Sequence, residues 1–171
     1  MKVYSQQELN DLINCPKQIK EASYKDMRLE RGSFRNDFEL ESISDKTRFS
    51  AFMRKNESFP ENFSIGLTVY PKDGSGSFCL LRYNGPHGDH VNDLLDPHPH
   101  FGFHIHEAKA DNIEGGFSSE LYAELTDSYG SYEEALIHFL KRINIENADQ
   151  YFDMQRQLPL FPRIGGSNEL P

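Results

Sequence analysis

Residues 63–70 read FSIGLTVY, and their side chains alternate without a break: Phe63, Ile65, Leu67 and Val69 on one side, Ser64, Gly66, Thr68 and Tyr70 on the other. A strand points successive side chains to opposite faces, so this spacing predicts a half-buried strand in an antiparallel sheet with one apolar face. The same period of two extends upstream. Phe34, Phe38 and Leu40 alternate with Arg35, Asp37, Glu39 and Glu41, and Phe49, Ala51 and Met53 alternate with Ser50 and Arg54. Downstream, KDGSG at 72–76 has the length and glycine content of a hairpin connection to a further strand at Phe78–Tyr83. These four segments make a meander.

Two helices flank it. Ser5 and Glu8 form a capping box ahead of Leu9, Leu12 and Ile13, and Pro16 ends that turn. Ser131 and Glu134 form a second box, opening an amphipathic helix with Ala135, Leu136, Phe139, Leu140 and Ile143 as its apolar stripe and His138 pointing away as a surface residue. Residues 117–127 fit a strand through Leu121, Ala123 and Leu125, and also a helical spacing from Phe117 to Leu121. Residues 147–155 can add a helical turn or two. The expectation is an α+β fold: an antiparallel sheet of about five strands, backed on its apolar face by the 131–144 helix and helped by the short N-terminal helix. Residues 1–155 form the single domain and 156–171 a flexible C-terminal tail.

The chain of 171 residues is of one-domain size. Its formal charge of −9 is uneven: residues 1–60 hold 11 Lys/Arg against 10 Asp/Glu, residues 61–171 hold 7 against 17. Counter-ion release from phosphates needs a local basic patch, so this balance argues against a strong nucleic-acid-binding surface. Lys17, Lys20, Lys25, Arg28 and Arg31 read as a solvated loop, with a small basic surface as the alternative. Cys15 and Cys79 lack C-x-x-C spacing, which leaves neither a disulfide framework nor a cysteine zinc site. No apolar run of signal or membrane length occurs, and the expected location is cytoplasmic. Without a P-loop or G-x-G-x-x-G there is no expected nucleotide cofactor.

The chemistry concentrates in one place. Six of the seven histidines fall between residues 87 and 106, and imidazole both titrates near neutral pH and ligates metals. A strand over 99–107 would put His100, Gly102, His104 and His106 on one face, with Phe101, Phe103 and Ile105 on the other; the preceding segment, 85–98, reads as a polar loop. His104 and His106, about 6–7 Å apart at the backbone, can converge on one ion or one substrate. With His87 and His90 they make a ligand set for a divalent metal such as Zn or Mn, and Asp89, Asp96 and His98 lie within the same loop. Without a metal, the imidazoles of His87, His104 and His106 can serve as general base and general acid, with Arg82 stabilising a developing phosphorane charge. RNA cleavage through the 2′-hydroxyl needs little more. Arg82 has the parity of Phe78 and Leu80, so its face depends on strand pairing. The plain alternative is a polar sheet face turned to water.

RYNGPHGDH at 82–90 followed by HPHFGFHIHEA at 98–108 resembles a motif of an uncharacterised family of small bacterial and prophage-borne proteins. The run Arg82-Tyr83-Asn84 with His87 close behind is also distantly similar to TumE-like toxin proteins of toxin–antitoxin pairs. That likeness implies a small toxin or a relative, with a cognate antitoxin as partner and Arg82, His87, His104 and His106 as the positions carried over. The chain departs from the toxin pattern in its loop at 88–98 and its long N-terminal region. In the tail, Gln157-Leu158-Pro159-Leu160-Phe161 resembles the Q-L-x-L-F peptide with which many bacterial replication and repair proteins dock on the DNA sliding clamp. Two functions follow as expectations: a phosphodiester hydrolase built on the histidines, metal-dependent or acid–base, or a non-catalytic mobile-element protein that holds a replication or defence partner through Gln157, Leu158, Leu160 and Phe161.

Overall fold

The computed structural model describes residues 3–20, 27–87 and 101–154. Its elements, from the N-terminus, are α1 (Gln6–Asn14), β1 (Lys17–Ile19), β2 (Arg28–Glu30), β3 (Ser33–Ser42), β4 (Arg48–Asn56), β5 (Phe63–Tyr70) and β6 (Phe78–Asn84). Then come β7 (His104–Glu107), α2 (Ala110–Glu114), β8 (Ala123–Leu125), α3 (Tyr132–Arg142) and a 3-10 turn at Ala148–Gln150. The strands form one antiparallel sheet in the order β1-β3-β4-β5-β6-β7-β8, and β2 shares with β1 the outer edge of β3. The architecture is α+β with a C-terminal helix, and among the described residues the sheet has eight strands rather than about five. The additional ones, β1, β2 and β8, are three residues each; β1 and β2 are too short for an alternation to show, and β8 takes the strand alternative of residues 117–127, each held in register by its longer neighbour.

The alternation of β3, β4 and β5 becomes burial. Phe38, Leu40, Phe49, Ala51, Met53, Ile65, Leu67 and Val69 are buried on the face that receives both α1 and α3. Ser5 caps α1 in both directions: its Oγ accepts from Glu8 N at 3.2 Å, and its own N–H donates to the Glu8 carboxylate at 2.8 Å. In α3 the reciprocal arm is shifted by one residue, because Glu134 accepts from Gly130 N at 2.7 Å while Ser131 Oγ accepts from Glu134 N. Among the described residues no helix is long and apolar enough to cross a membrane.

Two residues lie where the sequence reading did not put them. Lys17 belongs to no solvated loop: it is fully buried, and its ammonium donates to the carbonyls of Ile13 (2.7 Å), Cys15 (2.9 Å) and Ile143 (3.2 Å), joining the C-terminal ends of α1 and α3. Helix C-termini present unsatisfied carbonyls with partial negative charge, which is why a cation is tolerated there. Burial pushes its pKa down. His138 does not point away; it is half-buried and its Nδ1 shares a hydrogen bond with the Tyr83 hydroxyl at 2.9 Å. The long Tyr83 side chain, edge-on to Phe139 at 5.5 Å, reaches past the apolar stripe of α3 and widens its buried face. Burial, with Arg142 and Lys141 nearby, holds the His138 pKa below the usual imidazole value.

Candidate functional site

β6 decides which side chains meet. Leu81 pairs with Leu67 but Cys79 pairs with Thr68, so Leu80 is an extra residue, a β-bulge that reverses parity along the strand. Phe78 therefore stays on the core face, against Tyr4 at 5.3 Å, whereas Arg82 emerges on the opposite face although it stands an even four positions further along. Across the next ladder Arg82 pairs with His106 and Asn84 with His104. Arg82, Asn84, His104 and His106 thus share one face of the sheet, which parity counting from Phe78 does not give.

Of the described part of the expected 99–107 strand, 101–107, residues 104–107 are strand, and Phe101 is exposed while Phe103 and Ile105 pack on the core. The imidazoles are not turned to water. His104 is 0% and His106 3% exposed, because each ring finds a carbonyl for its Nδ1–H: His104 donates to Gly102 O at 2.9 Å, His106 to Glu120 O at 3.0 Å. A carbonyl only accepts, so both rings carry their proton on Nδ1 in the neutral state and keep Nε2 as the lone-pair nitrogen. Asn84 Nδ2 donates to His104 Nε2 at 3.2 Å. His87 completes a row of three rings, 5.0 Å from His104, which is 5.2 Å from His106. From the core side, Tyr129 donates its hydroxyl to the carbonyls of His104 (2.7 Å) and Asn84 (3.1 Å), clamping β6 to β7.

On β6, Arg82 Nε, a donor, and Asn84 Oδ1, an acceptor, are buried with no hydrogen-bond partner among the described residues. Buried orphans of this kind are uncommon and each costs about 1–3 kcal/mol. The sequence reading singled out Arg82 but gave Asn84 no role, although Asn84 stands in the Arg82-Tyr83-Asn84 run that carries the toxin-like resemblance. Cys79 lies on the same face, and burial, reinforced by Glu120, pushes its thiol up to about 12, which keeps it protonated and not a nucleophile at neutral pH.

Of the expected metal set, His87, His104 and His106 come together, while His90 lies outside the described residues, as do Asp89, Asp96, His98 and His100. Among the described residues no group of three His, Cys, Asp or Glu side chains is placed to hold a metal ion. Gln157, Leu158, Leu160 and Phe161, and the whole 156–171 tail, also lie outside them. A cleft of about 440 Å³ opens elsewhere, beside α1 and the β3–β4 turn, lined by Glu8, Asp11, Asp45, Thr47 and Lys72 and by none of the histidines. Its carboxylates already serve local structure: Glu8 completes the α1 cap, and Asp45 accepts from Thr47 N and from the Lys72 ammonium. Comparison with protein-family models, with curated proteins and with solved structures gives no match for this chain.

Proposed function

We propose that this protein cleaves ribonucleotide phosphodiesters by acid–base catalysis at the Arg82–Asn84–His87–His104–His106 site. The observation that carries the reading is the orphaned pair on β6. An RNA strand offers both partners: an anionic phosphodiester oxygen that accepts from Arg82 Nε, and a base amino group that donates to Asn84 Oδ1, which leaves the 2′-hydroxyl proton to the general base.

His106, ladder partner of Arg82, is the general base: its Nε2 takes the 2′-hydroxyl proton as the 2′-oxygen attacks phosphorus. His87, half-buried at the other end of the ring row, is the general acid, giving a proton to the 5′-oxygen as the P–O5′ bond breaks. The products are a 2′,3′-cyclic phosphate and a 5′-hydroxyl, and no water is consumed. Arg82 offsets the charge that grows on the equatorial oxygens, and His104, held by Asn84 and Gly102, is the positioning ring between the two. The Nδ1–H-to-carbonyl arrangement is also the one that metal-ligating imidazoles use, which supports a metal-assisted version as the second reading.

The test is cleavage of a uridine–adenosine dinucleotide, followed by chromatography of the cyclic product. His106→Ala and Arg82→Ala are each expected to lower kcat by about a hundredfold or more, with melting temperatures recorded alongside. The 2′-deoxy dinucleotide should be inert. Activity that survives a chelator supports the acid–base version, and activity restored only by Zn²⁺ or Mn²⁺ selects the metal version. No cleavage with or without those ions, or His106→Ala as active as the parent, overturns the proposal.

A further inference from the structure

The face that carries the histidines continues across β5 and β4, away from α1 and α3, and its composition is unlike the rest of this acidic chain. Outward positions of β4, β5 and β6 include Arg48, Phe52, Arg54, Tyr70 and Arg82, three arginines and two aromatic rings, with no carboxylate among them. Ladder pairing puts Phe52, Gly66, Arg82 and His106 in one row across four strands. Three strand spacings make that row about 14 Å long. Gly66 is what lets Phe52 lie over the sheet: a Cβ there would come within 2.3 Å of Phe52 Cζ.

We infer that this outer face seats the bases of a single-stranded RNA, with one base on Phe52 and another on Tyr70, while the backbone runs along the row to Arg82 and His106. The inference rests on the cleavage reading above and names how that site takes its substrate. In the free protein each ring is covered by a guanidinium, Arg54 at 5.4 Å from Phe52 and Arg48 at 5.3 Å from Tyr70. An exposed cation–π contact is worth roughly two- to fivefold in an equilibrium, and a base stacked on an aromatic ring roughly five- to a hundredfold. A base therefore displaces the arginine, and the released guanidinium is placed to take a phosphate. The partners given up are weak as well, since Arg54–Asp37 and Arg48–Glu39 are exposed pairs with a separation of 3.9 Å. Single-strand recognition by aromatics on an open sheet face needs no large basic surface, which reconciles it with the charge of −9.

The test is fluorescence anisotropy of the wild-type chain with a labelled 2′-O-methyl RNA 12-mer, whose blocked 2′-oxygen cannot attack. Micromolar binding is expected, weakened about tenfold by Phe52→Leu and by Tyr70→Leu, and unchanged by Phe59→Leu, an exposed aromatic elsewhere. Arg54→Gln should lower the salt dependence by about one phosphate contact. Tyr70 is at the surface, so its variant decides the matter if Phe52→Leu lowers the melting temperature. Equal binding by parent and both ring variants, or tighter binding of duplex than of single strand, overturns the inference. Dinucleotide cleavage without ring-dependent 12-mer binding sinks the face and leaves the cleavage reading standing. Ring-dependent binding without cleavage does the reverse.

Discussion

His138 shows how one side chain ties stability to pH. Its Nδ1 is held against the Tyr83 hydroxyl, and its pKa in the folded chain lies below the ordinary imidazole value of 6.5 through burial and the nearby Arg142 and Lys141. Below pH 6.5 the unfolded chain binds a proton that the folded chain refuses, so its contribution is complete above 6.5 and is lost as pH falls. His138→Gln, which keeps an acceptor without a titrating group, is expected to narrow the gap between urea midpoints measured at pH 7.5 and pH 5. A gap of parental size would show that His138 plays no part in it. The position was legible as a place on α3, but not its role, because the partner is Tyr83, 55 residues away.

At the scale of elements, Lys17 fastens α1 to α3, and each of its three acceptors is a backbone carbonyl at the end of a helix. Lys17→Met keeps the aliphatic length over Phe49, where the ammonium lies 4.8 Å from the ring, and leaves those carbonyls without their donor. Urea denaturation should register a loss of about 3 kcal/mol; a change within 0.5 kcal/mol would mean the carbonyls find water instead. Elements whose signal is local were readable in the sequence: Ser5 with Glu8, Ser131 with Glu134, and the alternation of 63–70. The elements that needed a partner were not. β1 exists because Lys17 and Ile19 pair with Ser42 and Leu40, and the histidine tautomers depend on carbonyls such as that of Glu120, 14 residues from His106. Composition marked where the candidate site lies, but only the ladder shows Asn84 and Arg82 beside the rings.

Across the whole molecule, buried hydroxyls and a buried thiol set the alkaline limit. Tyr83 and Cys79 are both pushed up to about 12 by burial, and Tyr129 and Tyr132 are raised for the same reason. The unfolded chain releases these protons near their ordinary values of 10 and 9, so stability is complete below pH 9 and falls as pH rises toward 12. Lys17 acts with the opposite sign, adding stability as pH approaches 10.5, but it is one group against four. The urea midpoint is expected to drop steadily from pH 9 to pH 11, and a flat profile would mean that these rings are wet.

The supernumerary Leu80 has a consequence for descent as well as for shape. Removing that single residue would restore even counting along the strand and swing Arg82 to the helical side in place of Tyr83, stranding a guanidinium against Phe139 and its neighbours. Kin of this chain that lost or gained one position between Cys79 and Leu81 could keep every letter of the RYN run and both later histidines, yet no longer bring them together.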